Sequence, residues 1–472
     1  MNSSSPLTTT RVTLRRLTQV NAPSCARSHT VPMKRSTLIP LAALASLAAS
    51  SLLRAQDKSV STPDTTAGDT NVVTVDNNFF TREFVDAFRH GKFDFNARLR
   101  YEYAHQYNLE SSYEVSIRPR FGFTTAPLYG FQGMIEGQNV SLLSPSSAFN
   151  AAGSNGQPQK TVIPDPPETS ISQVWLSYSN FNSTVKGGNQ HYVLDNQRFI
   201  GDSGWRQTWQ TFNAATLDSR PIDHLALHYG YIWYVNRVYA NVDNLPPANQ
   251  NFHSDSQIIN ASWDGWQFGT FKAYSYLLAF ANSPVNSSAT FGGSFAGSHS
   301  FDKEANLNVS YRAEYAYQQD YRNQPISYHA NYYTAELGGD YERFNLTGGY
   351  EVLGSDDGTK GFSTPLATLH SFNGWADVFL TTPNAGLRDL YGSAGVNIPG
   401  NIPFRFVYHK FNADSGSTDF GQEFDAIASR KFGKNWTILF EYAYYLAQNP
   451  APPSQTVAAN LQKFWAQLEF NF

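Results

Sequence analysis

The stretch FDFNARLRYEY, Phe93–Tyr103, decides the fold of this chain. Successive side chains of a β-strand point to opposite faces, so one face receives only apolar or aromatic residues, namely Phe93, Phe95, Ala97, Leu99, Tyr101 and Tyr103. The other face receives Asp94, Asn96, Arg98, Arg100 and Glu102. Five polar residues in a row, two of them arginine, cannot face a dry core, because buried charges without partners are too costly. The strand therefore needs lipid or another apolar medium on one side and water on the other.

The same alternation recurs over the rest of the chain. It is clear in EVSIRPRFGFT, residues 114–124, in ANLNVSYRAEYAY, residues 305–317, and in FWAQLEFNF, residues 464–472. About 16 to 19 such segments follow residue 93, each near the ~10 residues with which a tilted strand crosses a bilayer. Short turns alternate with longer loops rich in Asn, Gly, Pro and Ser, such as residues 141–169 and 354–373.

These segments predict an all-β transmembrane antiparallel barrel with a polar lumen in the outer membrane. Lipid offers no partner for backbone N–H and C=O groups, so a membrane-spanning sheet must close on itself. A soluble β-sandwich is the alternative, and stacked Arg and Glu have no place in a sandwich core. We expect the last strand to be a signal for the barrel-insertion machinery, carried by the apolar residues Phe464, Leu468, Phe470 and Phe472.

The N-terminal part divides into two segments before the barrel. Residues 33–55, MKRSTLIPLAALASLAASSLLRA, have the basic start, apolar run and small final residue of a secretory signal peptide, so Met33 is the expected true start and residues 1–55 are expected to be removed. The only cysteine, Cys25, lies in this part. Residues 56–92 are expected to be a flexible periplasmic lead-in with a short amphipathic helix that caps the barrel or plugs it, of which we favour the cap. The barrel itself is expected over residues 93–472.

Composition and charge exclude several classes of function. Charged residues make up 15% of the chain, against about 25% in ordinary soluble domains. Residues 1–55 hold seven Lys or Arg and no Asp or Glu, so the remainder has 27 basic and 38 acidic residues and a net charge of −11. This argues against nucleic acid as a partner. No spacing typical of a nucleotide, zinc or catalytic site is present, so we expect no enzyme activity, no cofactor and no metal.

Two longer stretches go beyond a generic barrel. They are VLDNQRFIGDSGWRQTWQTFNAA, residues 193–215, and STPLATLHSFNGWADVFLTTPNAGLRDLYGSAGV, residues 363–396. Together with RLRYEY, residues 98–103, and KFWAQLEFNF, residues 463–472, they resemble the alginate-export porin family over residues 93–472. The resemblance implies a monomeric barrel of eighteen strands with a narrow electropositive channel for a polyuronate. It carries the pore-lining role to Arg198, Arg206, Arg98 and Arg100.

Arginines dominate the cations of the predicted lumen. A guanidinium binds carboxylate in a bidentate way and stays charged, and rings of Arg or Lys select anions in pores. The expected pore-lining residues are Arg98, Arg100, Arg118, Arg120, Lys186, Arg198, Arg206, Arg312 and Arg405.

These residues favour a channel for an anionic polysaccharide of the alginate type. The alternative is a general or anion-preferring diffusion porin for small solutes. Two further interpretations stay open. The arginines could be paired with lumen carboxylates such as Glu102, Glu114, Glu136, Glu314, Glu336 and Glu351, and Trp175 and Trp375 could stack on sugars or anchor at the membrane interface.

Overall fold

The computed structural model describes residues 77–448 and 459–472, and the expected signal peptide lies outside them. Within these residues the chain forms one long helix and eighteen strands. The helix α1 spans Asn77–Arg89, and a single-turn helix α2 spans Pro247–Gln250. The strands are β1 Lys92–Gln106, β2 Ser112–Thr124, β3 Phe131–Leu142, β4 Glu168–Asn180, β5 Ser183–Gln190, β6 Thr211–Ile222, β7 Leu225–Asn236, β8 Asn251–Trp266, β9 Gly269–Leu278, β10 Ser288–Asp302, β11 Leu307–Gln319, β12 His329–Tyr341, β13 Phe344–Leu353, β14 Leu387–Ile398, β15 Ile402–Asn412, β16 Asp419–Phe432, β17 Trp436–Ala447 and β18 Leu461–Asn471.

The sheet closes into a barrel. Each strand pairs antiparallel with the next, and β1 also pairs with β18, so that Leu99 lies opposite Ile117 on one side and Leu468 on the other. Closure leaves no strand edge unpaired, which is what a lipid environment demands. The predicted all-β antiparallel barrel is confirmed, and so is the count of eighteen strands that the family resemblance implied.

The two ends of the barrel differ in the length of their connections. Two to six residues join the strands at one end, as at residues 181–182 and 342–343, whereas the other end carries long loops at residues 143–167, 191–210 and 354–386. Outer-membrane barrels have short turns on the periplasmic side and long loops outside, which assigns the two ends.

The outer and inner faces have opposite chemistry. Outward-facing side chains such as Ile135, Leu176, Leu337 and Leu346 are more than half exposed. Many inward-facing polar residues, by contrast, are buried, such as Arg100, Arg118 and Glu423. No helix in the part of the chain that the structure describes is long and apolar enough to cross a membrane.

Helix α1 lies at the turn end, against the outer side of the wall. The ring of Phe88 stacks on the outward-facing ring of Phe123 with centroids 6.0 Å apart, and the Ala126 N–H donates to the Ala87 carbonyl oxygen at 2.8 Å. Gly91 ends the helical segment where a Cβ atom would lie 2.4 Å from the Phe123 ring. These contacts are with the outer rim, whereas a cap would contact the lumen mouth.

Candidate functional site

Four arginines of β1 and β2 form one patch of the inner wall, which we call the arginine wall: Arg98, Arg100, Arg118 and Arg120. Arg98 lies directly opposite Arg118 in the strand register, and Arg120 lies opposite Asn96. Directly opposed residues on one face have Cβ atoms about 5 Å apart, so the guanidinium groups crowd together. All four side chains are buried.

Carboxylates neutralise only part of this charge. Arg98 lies 3.4 Å from Glu469, Arg100 lies 3.2 Å from Asp165, and Arg120 lies 3.6 Å from Glu136. Among the described residues, no carboxylate forms an ion pair with Arg118, whose guanidinium donates to Asn96 and to the Gln207 carbonyl oxygen. Three direct ion pairs thus serve four guanidinium groups, while the carboxylates of Glu102 and Glu114 lie buried on the same inner face of β1 and β2.

Backbone carbonyl groups accept further hydrogen bonds from the arginine wall. They come from residues 191–210, which we call the first inner loop. Arg98 Nη1 donates to the carbonyl oxygens of Trp205 at 3.0 Å and of Gly204 and Arg206 at 3.3 Å each. Arg100 Nη2 donates to the Trp205 carbonyl oxygen at 2.6 Å. The loop thus presents its partial negative charges to the cations.

Two indole rings of the same loop cover the guanidinium groups. The Arg100 guanidinium lies 4.4 Å from the centroid of Trp205, and that of Arg120 lies 3.6 Å from the centroid of Trp209. Both distances are within cation–π range. The arginine wall is therefore covered by the first inner loop in this conformation, and the pore-lining role of its residues stays a prediction.

A second patch carries acids, and we call it the acidic wall: Glu351, Asp389, Glu423, Asp425 and Glu441, on β13, β14, β16 and β17. All five are buried. Residues 354–386, the second inner loop, cover this patch with donors. The Ala376 N–H donates to Glu423 at 2.6 Å, and Asn373 Nδ2 donates to Glu351 at 2.6 Å and Asp389 at 3.2 Å.

Gly374 shows how closely the second inner loop approaches the acidic wall. Its φ is +87°, and a Cβ atom would lie 2.5 Å from the Glu423 carboxyl group. Only glycine combines that backbone conformation with so little space.

Asp377 connects the two inner loops to each other and to the wall. It forms ion pairs with Arg206 of the first inner loop, with Lys463 of β18 at 3.0 Å, and with His370 of its own loop at 2.8 Å. Burial acts to raise the pKa of Asp377, but Lys463, His370 and Arg206 hold it well below its ordinary value. The Trp205 indole stacks on the His370 ring with centroids 4.5 Å apart. We call this junction the loop latch.

The remaining predicted site residues are distributed over the lumen. Arg198, on the first inner loop, is buried and pairs with Glu351 at 2.9 Å. Arg206, also buried, belongs to the loop latch. Arg312 pairs with Glu314 beside it on β11. Lys186 lies 4.8 Å from the Trp175 ring centroid, and Arg405 lies 5.1 Å from that of Trp375.

Several of the expected carboxylate partners make such contacts, and others do not. Glu136, Glu314 and Glu351 pair with arginines, Glu336 accepts from the Tyr391 hydroxyl at 2.7 Å, and Glu102 lies 3.8 Å from Arg206. Glu114 lies opposite Glu102 and has no ion-pair partner among the described residues. The predicted insertion-signal residues Phe464, Leu468 and Phe470 are on the outward face of β18, followed by the exposed Phe472.

Sequence reasoning missed the loop residues that contact the arginine wall and form the loop latch. Asp165, Trp205, Trp209 and Asp377 contact residues far away in the sequence, which no periodicity reveals. One feature of the sequence indicates buried loops: both inner loops are long and contain Trp, Phe and Leu, whereas an exposed loop is mostly polar. No group of three or more His, Cys, Asp or Glu able to hold a metal ion occurs within residues 77–448 and 459–472.

The fold and the polar lumen define the class of structure: a closed outer-membrane porin barrel. Its solved neighbours include OccAB2 of Acinetobacter baumannii, with a TM-score of 0.63, 13% identity, and coverage of 82% of this chain and 99% of that one. OccK2 (OpdF) of Pseudomonas aeruginosa has a TM-score of 0.60, 13% identity, and 82% and 98% coverage. OpdK of Pseudomonas aeruginosa, solved with vanillate, has a TM-score of 0.60, 12% identity, and 82% and 99% coverage.

At 12–13% identity, these neighbours show the fold of this chain. They support the outer membrane as the location of this chain, as the sequence predicted. They do not support the finer resemblance to alginate-export porins. No family model and no curated protein sequence matches this chain.

Proposed function

We propose that this protein is an outer-membrane diffusion channel for small anionic solutes, with the arginine wall as its selectivity element. The observation that carries the proposal is the register of β1 and β2, which places Arg98 opposite Arg118 between Arg100 and Arg120. Three of these four guanidinium groups form ion pairs with carboxylates, and Arg118 forms none among the described residues. Oriented donors in a narrow, partly desolvated lumen attract anions more strongly than the same groups in bulk water.

The solved neighbours favour a small solute over a polymer. They are channels for small solutes, and one of them was solved with vanillate, a carboxylate. The two inner loops also bind each other across the lumen through Arg206 and Asp377. A long polyuronate would have to displace both loops along its whole path, whereas a small solute needs only a local opening.

Passage of an alginate-like polyuronate is the second candidate. It is supported by the resemblance of residues 193–215 and 363–396, and by arginines that would bind uronate carboxylates as they bind other carboxylates. It differs from the first candidate in the size of the cargo, so one electrical measurement separates them.

A planar bilayer with a gradient of sodium glucuronate tests the proposal. We expect a reversal potential that shows glucuronate passing more readily than Na⁺, and an oligouronate that blocks the current without crossing. Arg118→Gln should move the potential toward Na⁺. The matched control is Arg343→Gln, which removes one charge from an exposed site in a turn. Equal effects of both substitutions, or a potential set by Na⁺, would refute the arginine wall as the selectivity element. Free passage of the oligouronate would favour the second candidate.

A further inference from the structure

Helix α1 carries an apolar face that the barrel leaves uncovered. Phe84, Val85 and Phe88 are exposed by 52%, 40% and 48%, while Ala87 is buried against the wall. At 100° per residue, Phe84 and Phe88 lie within 40° of each other on the helix, and Arg82, Asp86 and Arg89 lie on the opposite side. A helix with separated apolar and charged sides is suited to the interface between the membrane and water.

The uncovered face joins the lipid-facing surface of the barrel. Phe84 packs on Phe88 with ring centroids 5.0 Å apart, and Phe88 stacks on Phe123 of β2. From there, outward-facing aromatic residues continue along the rim of the turn end, where Phe95 lies 4.8 Å from Phe121 and 6.0 Å from Phe470. The apolar face of α1 is therefore an extension of the belt that contacts lipid.

Charged residues surround this face as the headgroup region would require. Arg82 and Arg89 point away from the apolar side, and Lys92, at the start of β1, has a side chain that is 77% exposed. Long basic side chains of this kind extend toward lipid phosphates while their helix stays at the interface.

We propose that α1 lies flat in the interface of the inner leaflet of the outer membrane, with Phe84, Val85 and Phe88 inserted among the phospholipid acyl chains. The helix then holds the segment before β1 on the membrane surface beside the barrel. In this position α1 itself does not cover the lumen mouth at the turn end, because it contacts the outer rim.

Spin labels test the placement in the full chain, with Cys25 replaced by serine and the protein reconstituted in phospholipid vesicles. Labels are attached to Phe84→Cys, Val85→Cys and Phe88→Cys, with Arg82→Cys and Asp86→Cys as matched controls on the charged side of the same helix. Phe121→Cys, 53% exposed in the lipid belt, is the reference. Gel mobility before and after heating verifies that each variant is folded.

We expect labels at positions 84, 85 and 88 to collide with dissolved oxygen as the reference label does. Labels at 82 and 86 should collide with a water-soluble nickel complex instead. The proposal is overturned if 84 and 88 are as accessible to nickel as 82 and 86. It is also overturned if 84 and 88 are shielded from both reagents, because a protein surface such as a second copy would then cover the helix.

Discussion

Asp377 is the residue of the loop latch that connects both inner loops to β18. It is buried and has three cationic neighbours that belong to different parts of the fold, namely Arg206, His370 and Lys463. A neutral Asp377 would leave Lys463 without an ion-pair partner among the described residues, and would leave Arg206 and His370 with only their other carboxylate partners. Removing one partner of a buried ion pair costs about 3–5 kcal/mol, so a single substitution can release the junction between the inner loops.

We predict that Asp377→Asn raises the single-channel conductance, because the first and second inner loops lose their connection. The size and shape of the side chain are kept, so barrel assembly should be unchanged. Asp357→Asn is the control, since it makes the same chemical change in the same loop at an exposed site. Equal conductance of the native protein and Asp377→Asn would show that the latch does not hold the loops.

His370 gives the latch a dependence on pH. Burial lowers its pKa, but Asp377 and Glu441 raise it further, so that the net pKa lies above the ordinary value of about 6.5. Because the pKa of His370 is raised in the folded state, the charged imidazole stabilises the loop latch fully below about pH 6.5. This stabilisation is lost as the pH rises through the raised pKa.

We therefore expect the conductance to increase as the pH rises above about 6.5. Single-channel recordings between pH 5 and 9 measure this. The His370→Gln variant should lack the pH-dependent step. A step of the same size in His370→Gln would assign the effect to another group.

At the scale of elements, strands and loops differ in how far the sequence predicts them. The period-two pattern predicted β1 and β2 within three residues of their observed bounds, and with them the shared face of Arg98, Arg100, Arg118 and Arg120. The inner loops could not be predicted in this way, because their conformation is set by charges on distant strands. Position 374, for example, requires glycine because the Glu423 carboxyl group, on a distant strand, leaves no room for a Cβ atom.

A substitution at Gly374 tests whether close contact with the acidic wall holds the second inner loop in place. Gly374→Ala adds a methyl group that cannot fit beside the Glu423 carboxyl group, so we expect a mobile loop and a larger conductance. Gly358→Ala is the matched control: its φ of +82° costs a similar backbone strain of about 1–2 kcal/mol, but a Cβ atom meets nothing within 4 Å. A similar conductance for the two variants would mean that strain alone, and not contact with the acidic wall, governs the loop.

The last strand gives a prediction about assembly. Phe472 is 71% exposed on the outward side, and its backbone N–H donates to the Phe95 carbonyl oxygen at 2.9 Å. Phe472→Ser keeps this bond and removes the ring, so we expect slower insertion, seen as a smaller heat-modifiable fraction on a gel. Asn471→Ser serves as the control. Normal insertion of Phe472→Ser would show that the Phe472 ring is not part of the insertion signal.

At the scale of the whole molecule, the barrel separates its lumen charges. The four arginines of the arginine wall lie on β1 and β2, beside the buried acids Glu102 and Glu114, and the five acids of the acidic wall lie on β13 to β17; each inner loop offers groups that suit the wall it covers. The sequence predicted the barrel and the positions of the wall arginines. It did not predict their covering, because alternation specifies which face a residue is on, but not what lies against that face.

The central claim is that the arginine wall makes the channel prefer anions, and the reversal potential in a KCl gradient tests it most directly. For the native protein we predict a reversal potential whose sign shows that chloride is more permeant than potassium. Replacing Arg98, Arg100, Arg118 and Arg120 together with glutamine should shift it toward potassium, while the barrel still assembles because glutamine stays polar toward the lumen. A native potential on the potassium side, or a quadruple variant that assembles normally and keeps the native potential, would contradict the account.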